Sequence, residues 1–338
     1  MRIWKKTSLW ALALLAVLVL SASSGTGNPE KIDLEEVLSI GSFEDDILFQ
    51  WVGVAVDREG DIYVTDAMDY AVKKFDSRGN LLKRSGRRGQ GPGEFTAPRL
   101  LDCSEGYVFV TEQYQPVIKV FDKNLAYKFR IPLDGPAGDL KVLGNGLVAV
   151  AALSARNKSQ LLFYDSKGKI VKRLGFAERS SHLLMDMVSF DVDGRGNCYL
   201  AYNFADKIVK FDHSGRRLWS RELLGIGPVK REKISSYVLP TEIVYKDIAL
   251  DREGNVYVLG GEFSANRSRD IYVVDPEGKL LATMTLPESS HCITIDRNGF
   301  LYARANDGIT LKKFRMKGMP PTKGKSGTGL REDVWAER

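Results

Sequence analysis

A short motif recurs along most of this chain and limits what it can fold into. An apolar stretch is followed by Asp-x-x-Gly, and a Tyr stands three residues after the Gly. Four clear copies begin at Asp57, Asp193, Asp251 and Asp296, and two degenerate copies begin at Cys103 and Leu143. The motif glycines are Gly60, Gly106, Gly146, Gly196, Gly254 and Gly299. Their spacing of 40 to 58 residues indicates a repeat architecture.

A second pattern follows most copies and completes the repeat unit. An alternating stretch ends in an aromatic residue and Asp, and a Gly follows three residues after the Asp, as at Asp76, Asp165 and Asp212. Both patterns favour hairpin turns, because Asp accepts local backbone hydrogen bonds and Gly adopts positive φ. Each unit therefore predicts four short antiparallel strands. Six such units arranged radially predict an all-β protein, a six-bladed β-propeller.

The two ends of the repeat region predict how the ring closes. The sixth unit has only three strand-like stretches before the chain becomes rich in Pro, Gly and Lys at residue 319. The segment Ile32–Ile40 resembles a strand and precedes the first unit, so we expect it to supply the missing fourth strand. Closure of this kind leaves no open sheet edge. We therefore predict a propeller over residues 24–318 and a flexible tail over residues 319–338.

The first 23 residues predict a secretory signal peptide. Arg2, Lys5 and Lys6 precede an apolar stretch, Leu9–Leu20, and small residues follow it. The apolar stretch is short for a membrane span, which needs roughly 20 residues, although an uncleaved anchor is the alternative. We expect an exported protein, periplasmic or extracellular, with no stable membrane span once the signal is cleaved.

Charge and cysteine content exclude two classes of protein. The chain carries 49 Lys and Arg against 43 Asp and Glu, a net charge of +6. Residues 1–23 and 316–338 account for most of this excess, which leaves about +1 on residues 24–315. A nucleic-acid-binding protein would carry its positive charge on the folded domain, so no nucleic-acid partner is expected. Three cysteines are too few for a disulfide scaffold.

A Gly-rich linker and the first motif copy together suggest a family. The linker runs from Gly86 to Pro98, and the motif region spans Asp57 to Asp66. With these features the chain resembles the NHL-repeat, TolB-like six-bladed propellers over residues 31–316. It is most similar to exported bacterial propellers, most of which have no assigned role. The resemblance implies the fold but not an activity, because propellers support many unrelated functions.

Recognition residues are expected in the loops between the second and third strands of the units and in the inter-unit linkers. These segments vary between units, as binding loops on a fixed scaffold do. Tyr and Arg are frequent anchors of interfaces, and mixed charges suit a polar partner. We therefore predict a binding or scaffolding module for a protein or glycan partner in the cell envelope. The candidate ligand-binding residues are Asp66, Asp69, Tyr70, Arg87, Arg88, Tyr114, Tyr202, Asn203, Glu262, Arg269 and Arg304. For each of them, a merely exposed loop side chain is the alternative.

An enzyme is the rival hypothesis, namely a metal-assisted lyase or lactonase with its site at the mouth of the axial channel. The predicted inner strands offer mostly Val, Ile, Ala and Thr, with Asp247 and His291 as polar exceptions. A calcium loop at Asp191-Val-Asp193 lacks the full ligand spacing, so a hairpin turn is favoured there. We accordingly predict no catalytic residue, no metal site and no cofactor. Three or more convergent polar ligands at the channel mouth would favour the enzyme, and an apolar, plugged channel would favour the binding module.

Overall fold

The computed structural model describes residues 29–48, 50–104, 106–152, 160–176, 183–234, 237–263 and 265–318. The predicted signal peptide, residues 1–23, and the predicted tail, residues 319–338, lie outside the described residues. Within the described ranges, no helix is long and apolar enough to cross a membrane.

Six four-stranded antiparallel blades form a ring, which confirms the predicted all-β, six-bladed β-propeller. Apart from two N-terminal strands at the outer edges of blades 5 and 6, the first strand of each blade in the chain is the innermost. The strands of blades 1 to 3 are β3 Trp51–Val56, β4 Ile62–Asp66, β5 Ala71–Phe75, β6 Leu81–Ser85, β7 Pro98–Ser104, β8 Tyr107–Glu112, β9 Val117–Asp122, β10 Tyr127–Pro132, β11 Ala137–Val142, β12 Val148–Ala152, β13 Gln160–Tyr164 and β14 Ile170–Gly175. Those of blades 4 to 6 are β15 Val188–Val192, β16 Cys198–Tyr202, β17 Ile208–Phe211, β18 Arg217–Arg221, β21 Tyr245–Leu250, β22 Val256–Gly260, β23 Asp270–Val274, β24 Leu280–Thr285, β25 Ile293–Ile295, β26 Phe300–Arg304 and β27 Leu311–Lys317.

An N-terminal strand closes the ring, as predicted. Strand β2, Asp33–Ile40, pairs antiparallel with β27 as the outer strand of blade 6. Its ends are anchored in two different parts of the core: Ile32, 2% exposed, packs between blades 5 and 6, and Ile40, 4% exposed, packs against blade 1. The first and last parts of the described chain are thus joined in one sheet.

Three smaller elements were not predicted from the sequence. Strand β1, Glu30–Lys31, pairs in parallel with β24 and adds a fifth strand to blade 5. A short 3-10 helix, Leu183–Asp186, precedes blade 4. The linker between blades 4 and 5 contains a hairpin of β19, Arg231–Ile234, and β20, Tyr237–Pro240, and β20 contacts that helix.

The repeated motif has a definite structural role at the turn between the first two strands of a blade. In blade 1, Asp57 Oδ1 accepts the amides of Glu59 and Asp61, and Gly60 adopts a φ of 87°. The other carboxylate oxygen, Asp57 Oδ2, accepts a hydrogen bond of 3.1 Å from the hydroxyl of Tyr63. The same Asp–Tyr bond recurs in three more blades, at Asp193–Tyr199, Asp251–Tyr257 and Asp296–Tyr302. The six-residue spacing in the motif therefore ties each hairpin turn to the buried second strand.

We expect the Tyr302→Phe variant to lose about 1 to 2 kcal/mol of unfolding free energy. Tyr302 is fully buried, and its hydroxyl donates a 2.9 Å bond to Asp296 Oδ2. Losing a hydrogen bond to a charged acceptor costs about this much, because the carboxylate oxygen stays buried. Urea unfolding followed by circular dichroism would measure the change. The matched control is Tyr114→Phe, whose ring is 74% exposed, and an equal loss in both variants would contradict the role of the motif.

Candidate functional site at the mouth of the axial channel

A pocket of about 330 Å³ opens at one end of the axial channel. The inner strands of blades 2 to 5 begin at this pocket. In blades 4 and 6, the loop between the second and third strands also begins there. The pocket therefore opens on the face that carries the loops predicted to hold recognition residues. The pocket is lined by Arg99, Leu100, Gly138, Asp139, Ala151, Ala152, Phe176, Asp186, Met187, Val188, Ser189, Asn203, Phe204, Ile243, Lys246, Asp247, His291, Cys292 and Arg304.

The pocket combines an apolar wall with charged groups. Leu100, Phe176, Met187, Phe204 and Ile243 contribute large apolar side chains to the lining. The basic side chains come from several blades, namely Arg99, Lys246, His291 and Arg304. A mixed lining of this kind is typical of a ligand site, in which apolar surface gives affinity and a few polar groups fix orientation.

Lys246 and His291 form a close pair within the pocket. Lys246 Nζ lies 3.4 Å from His291 Nδ1, and Glu262 Oε1 lies 3.9 Å from the same Nζ. Burial lowers the pKa of Lys246, and Glu262 partly opposes the shift. The pKa of His291 is also lowered, first by burial and then by the positive charges of Lys246 and Arg304. His291 is therefore held in its neutral form at neutral pH.

Two polar side chains hold the walls of the pocket in place. Asn203 Nδ2 donates to the carbonyl of Tyr245 at 2.9 Å, and the hydroxyl of Ser189 donates to the carbonyl of Lys246 at 3.0 Å. Both bonds join blade 4 to the start of β21. They fix the backbone from which Lys246 projects.

Four inner-strand carboxylates, two of which line the pocket, connect successive blades around the channel. Each Asp accepts the amide of the next residue on one oxygen and an amide of the neighbouring inner strand on the other. The pairs across blades are Asp102 to Val142, Asp139 to Phe190, Asp191 to Leu250 and Asp247 to Ile293, at 2.7 to 3.0 Å. These hydrogen bonds connect the inner strands of blades 2 through 6 around the axis.

Lys141 is the cation at the centre of these carboxylates. Its Nζ lies 3.6 Å from Asp191 Oδ2. Burial alone would lower the pKa of Lys141, but the surrounding aspartates raise it above its usual value. Burial raises the pKa of Asp102 to about 6 and that of Asp247 to about 7. The channel therefore holds carboxyl groups that take up protons near neutral pH.

We expect the protein to become more stable as the pH falls from 8 to about 5.5. A carboxyl group whose folded pKa lies above its unfolded value of about 3.9 binds its proton more tightly when folded. Asp247 and Asp102, with pKa values of about 7 and 6, then favour the folded state increasingly as the pH drops. His291, with a lowered pKa, opposes this below about pH 6.5, so the net gain is about 1 to 2 kcal/mol. Unfolding free energies at several pH values measure it, and a steady loss from pH 8 downward would contradict it.

The described residues offer limited support for a metal centre. Among them, no group of three or more His, Cys, Asp or Glu side chains is placed to hold a metal ion. The channel aspartates, which are the nearest approach to such a set, each accept two backbone amides. The channel mouth is thus neither a set of metal ligands nor an apolar, plugged channel, since it is an open pocket with charged walls.

Three of the predicted ligand-binding residues come together at this pocket. Asn203 and Arg304 line it, and Glu262 reaches Lys246 from the loop after β22. Glu262 Oε2 also accepts the amide of Ile243 at 2.7 Å. Arg304 donates to the carbonyl of Gly308, which shapes the turn that follows β26.

Two of the candidate ligand-binding residues, Asp66 and Tyr202, are buried inside the blades. Asp66 is fully buried, accepts the Gln50 amide and pairs with Lys73 Nζ at 2.9 Å. Tyr202 is 2% exposed and donates its hydroxyl hydrogen to the carbonyl of Phe176 at 2.7 Å. Each is the last residue of the second strand of its blade, and its side chain faces the interior. Both side chains therefore stabilise the blades.

The other predicted residues lie away from the pocket lining. Asp69 pairs with Arg84 and Lys73. Arg88 lies over the ring of Tyr70, with its Cζ 5.6 Å from the ring centroid. Arg87, 81% exposed on its side chain, pairs with Glu94, and Arg269 donates to the carbonyl of Leu286. Tyr114 is exposed in the β8–β9 loop, so a binding role for these six residues stays a prediction.

Sequence reasoning missed the charged residues of the inner strands. Lys141, Asp102 and Asp139 occur in or near the degenerate motif copies, where the strands were predicted to be mostly apolar. A signal was present, because Asp139 and Asp247 each stand seven residues before a motif glycine. Lys246 and Arg99 were also missed, and neither has a distinctive sequence context.

Comparisons with known proteins show the fold and nothing finer. No protein-family model matches the chain, and no curated protein matches it. Among solved structures, the chain is similar to a streptogramin B lyase, with a TM-score of 0.55, 13% identity, and coverage of 85% of this chain and 98% of the other. The WD40 propeller domain of Doa1 gives a TM-score of 0.53 at 16% identity over 78% of each chain. A catalytically inactive virginiamycin B lyase from Staphylococcus aureus, with quinupristin, gives 0.51 at 13% identity over 83% of this chain and 88% of the other. These neighbours include both a lyase and a WD40 domain, so the function has to be inferred from the site and not from the fold.

Proposed function

We propose that this chain is an exported propeller of the NHL-repeat, TolB-like kind that works as a binding or scaffolding module. A protein or glycan partner in the cell envelope inserts a polar group into the channel-mouth pocket. The single observation that carries the proposal is the pocket itself, an opening of about 330 Å³ with an apolar wall and charged groups from several blades. Its position among variable loops on a rigid ring is where binding residues are usually found.

The rest of the channel supports binding more than catalysis. The four channel aspartates and Lys141 are engaged with one another and with backbone amides, so they act on the scaffold. The metal-assisted lyase or lactonase gains no support from the ligand sets of the described residues. The small net charge of the folded region gives no support to a nucleic-acid partner.

Filling the pocket tests the proposal. Ala152 lines the pocket at the end of β12, and Ala152→Trp would occupy the space without removing a polar side chain. Val171, 47% exposed on outer strand β14, provides the matched control Val171→Trp in the same blade. Wild-type protein and both variants would be applied to arrays of envelope glycans and of peptides.

We expect at least one glycan or peptide class to bind the wild type and Val171→Trp equally. Its affinity for Ala152→Trp should fall at least about tenfold, because the added indole excludes the ligand. The proposal is overturned if no class binds the wild type, or if Ala152→Trp binds as the wild type does while keeping its thermal stability.

A further inference from the structure

We propose that Lys246, His291 and Arg304 bind a carboxylate group of the partner, and that this binding is accompanied by uptake of a proton at His291. The inference rests on the proposed function, since the carboxylate belongs to the ligand that enters the pocket. The three side chains come from β21, the linker between blades 5 and 6, and the end of β26.

The positive charge of Lys246 is incompletely neutralised. Its side chain is only 10% exposed, and a buried ammonium group needs a negative partner or strong hydrogen bonds. Glu262 Oε1 is 3.9 Å away, beyond hydrogen-bond distance, and Glu262 Oε2 is engaged by the amide of Ile243. The position beside Lys246 thus favours an added negative charge.

His291 carries no proton on Nδ1 in the empty pocket. Lys246 Nζ can donate to Nδ1 of His291 only when that nitrogen carries no proton. The charged groups around His291 are Lys246, Arg304 and Glu262, two positive and one negative. A second positive charge on His291 is therefore disfavoured in the empty pocket. A bound carboxylate reverses this balance and allows His291 to be protonated.

The charges of the pocket favour a monoanion over a dianion. Three carboxylates, those of Asp139, Asp186 and Asp247, line the same pocket as the three cationic side chains, and Glu262 stands at its edge. The pocket as a whole therefore carries no surplus of positive charge. A carboxylate adds one negative charge beside Lys246, which proton uptake at His291 compensates, whereas a dianionic phosphate would place a second negative charge near these carboxylates. Phe176 and Phe204 offer an apolar wall for the carbon skeleton of the ligand. A volume of about 330 Å³ suits one sugar ring or one amino-acid side chain.

Four small probes test the inference on the full folded chain. D-glucuronate and N-acetylglutamate N′-methylamide carry the carboxylate on a sugar and on a peptide unit. D-glucose and N-acetylglutamine N′-methylamide are their neutral counterparts. Binding is measured by NMR through the Cε1–H signal of His291, assigned by its loss in the His291→Asn variant, at pH 5.5, 7 and 8.5. Inorganic phosphate is a fifth probe.

We expect a carboxylate probe to raise the pKa of His291, because an opposite charge within about 4 to 6 Å shifts a pKa by roughly one unit or more. By linkage, its affinity should fall about tenfold from pH 5.5 to pH 8.5. Whichever carboxylate binds more tightly identifies the source as glycan or peptide. The neutral counterparts should bind at least about tenfold more weakly.

Variants separate the roles of the two residues. Lys246→Gln should weaken carboxylate binding about tenfold or more, whereas Lys233→Gln, on the exposed side of the β19–β20 hairpin, should not. His291→Asn should weaken carboxylate binding at pH 5.5 and remove its pH dependence, so that its affinity at pH 5.5 equals its affinity at pH 8.5.

The inference is overturned if neutral and charged probes bind alike, if phosphate binds more tightly than both carboxylates, or if affinity does not change with pH. It is also overturned if neither carboxylate binds at about 20 mM. Any of these results, together with array binding that Ala152→Trp abolishes, would remove the carboxylate and leave the proposed function standing. An array with no ligand for the wild type would remove the proposed function itself.

Discussion

A chain that begins at Gly41, without β1 and β2, is expected to lose its cooperative thermal transition and to aggregate. Strand β2 makes seven paired positions with β27, from Asp33–Lys317 to Ile40–Leu311. Its removal uncovers an entire strand edge in blade 6, and exposed edges promote association between chains.

The side chains lost with this segment are also important. Ile32 and Ile40 are 2% and 4% exposed, and burial of each contributes about 1.5 to 3 kcal/mol. Together with the lost backbone pairing, the deficit exceeds about 5 kcal/mol, which is the lower end of the stability of natural proteins. Differential scanning calorimetry and size-exclusion chromatography would detect the loss.

A permuted chain provides the control for this experiment. Asp33 and Lys317 are paired neighbours, so residues 29–40 can be moved to follow Gly318 through a short turn. The permuted chain should recover the melting temperature of the original, because β27 regains the same partner. Removing only residues 319–338 should leave the melting temperature unchanged. A truncated chain that melts like the full one would show that the ring does not depend on β2.

The Lys141→Met variant is expected to lose about 3 to 5 kcal/mol of unfolding free energy at pH 8. Lys141 is the cation among the channel aspartates, 3.6 Å from Asp191 and only 22% exposed. Removing one partner of a buried charge cluster leaves the others uncompensated, which costs about this much. Asp102, Asp139 and Asp247 contribute to the same cluster.

The loss in Lys141→Met should shrink at pH 5.5. Asp247 and Asp102, with pKa values of about 7 and 6 in the presence of Lys141, hold their protons even more tightly without it. Protonated carboxyl groups no longer repel one another. The control is Lys169→Met, an exposed lysine of the same blade, which should change stability little at either pH. Equal losses in the two variants, or a Lys141→Met loss independent of pH, would contradict this account of the channel.

The repeat made the blades predictable from the sequence, and its interruption made ring closure predictable. Each Asp-x-x-Gly motif acts within its own hairpin, so the local sequence is enough to predict the turn and its two strands. The Asp57–Tyr63 bond shows this well, since both partners and the turn lie within seven residues. The sixth unit lacked a strand, and a strand-like segment was left over at the other end of the chain.

The channel was not predictable in the same way, because its contacts cross between blades. Asp139 bonds to Phe190, 51 residues later, and nothing near Asp139 in the sequence reveals that partner. A polar residue in a strand is usually predicted to face solvent. In the inner strands of this closed ring, such residues face the axial channel instead. Burial of Asp66 was missed for a related reason, although Lys73 stands seven residues later, the same spacing as Glu112 and Lys119.

The position of the pocket follows from the fold, but its chemistry does not. Loops between second and third strands meet the starts of the inner strands at one end of the ring, so Asn203 and Arg304 were expected there. Lys246 and His291 face each other only because the linker between blades 5 and 6 returns to the axis beside β21. Such a pairing depends on the geometry of two blades and has no local signature.

Photo-cross-linking in cells that express the full chain would show directly whether a partner binds at the channel mouth. The residue p-benzoylphenylalanine would replace Phe204, which lines the pocket, or Arg78, which is 84% exposed on its side chain at a turn between third and fourth strands. We expect a discrete cross-linked product from position 204, none from position 78, and loss of the product when Ala152→Trp is added. No product from position 204, or products from position 78 alone, would show that the partner does not bind at the channel mouth.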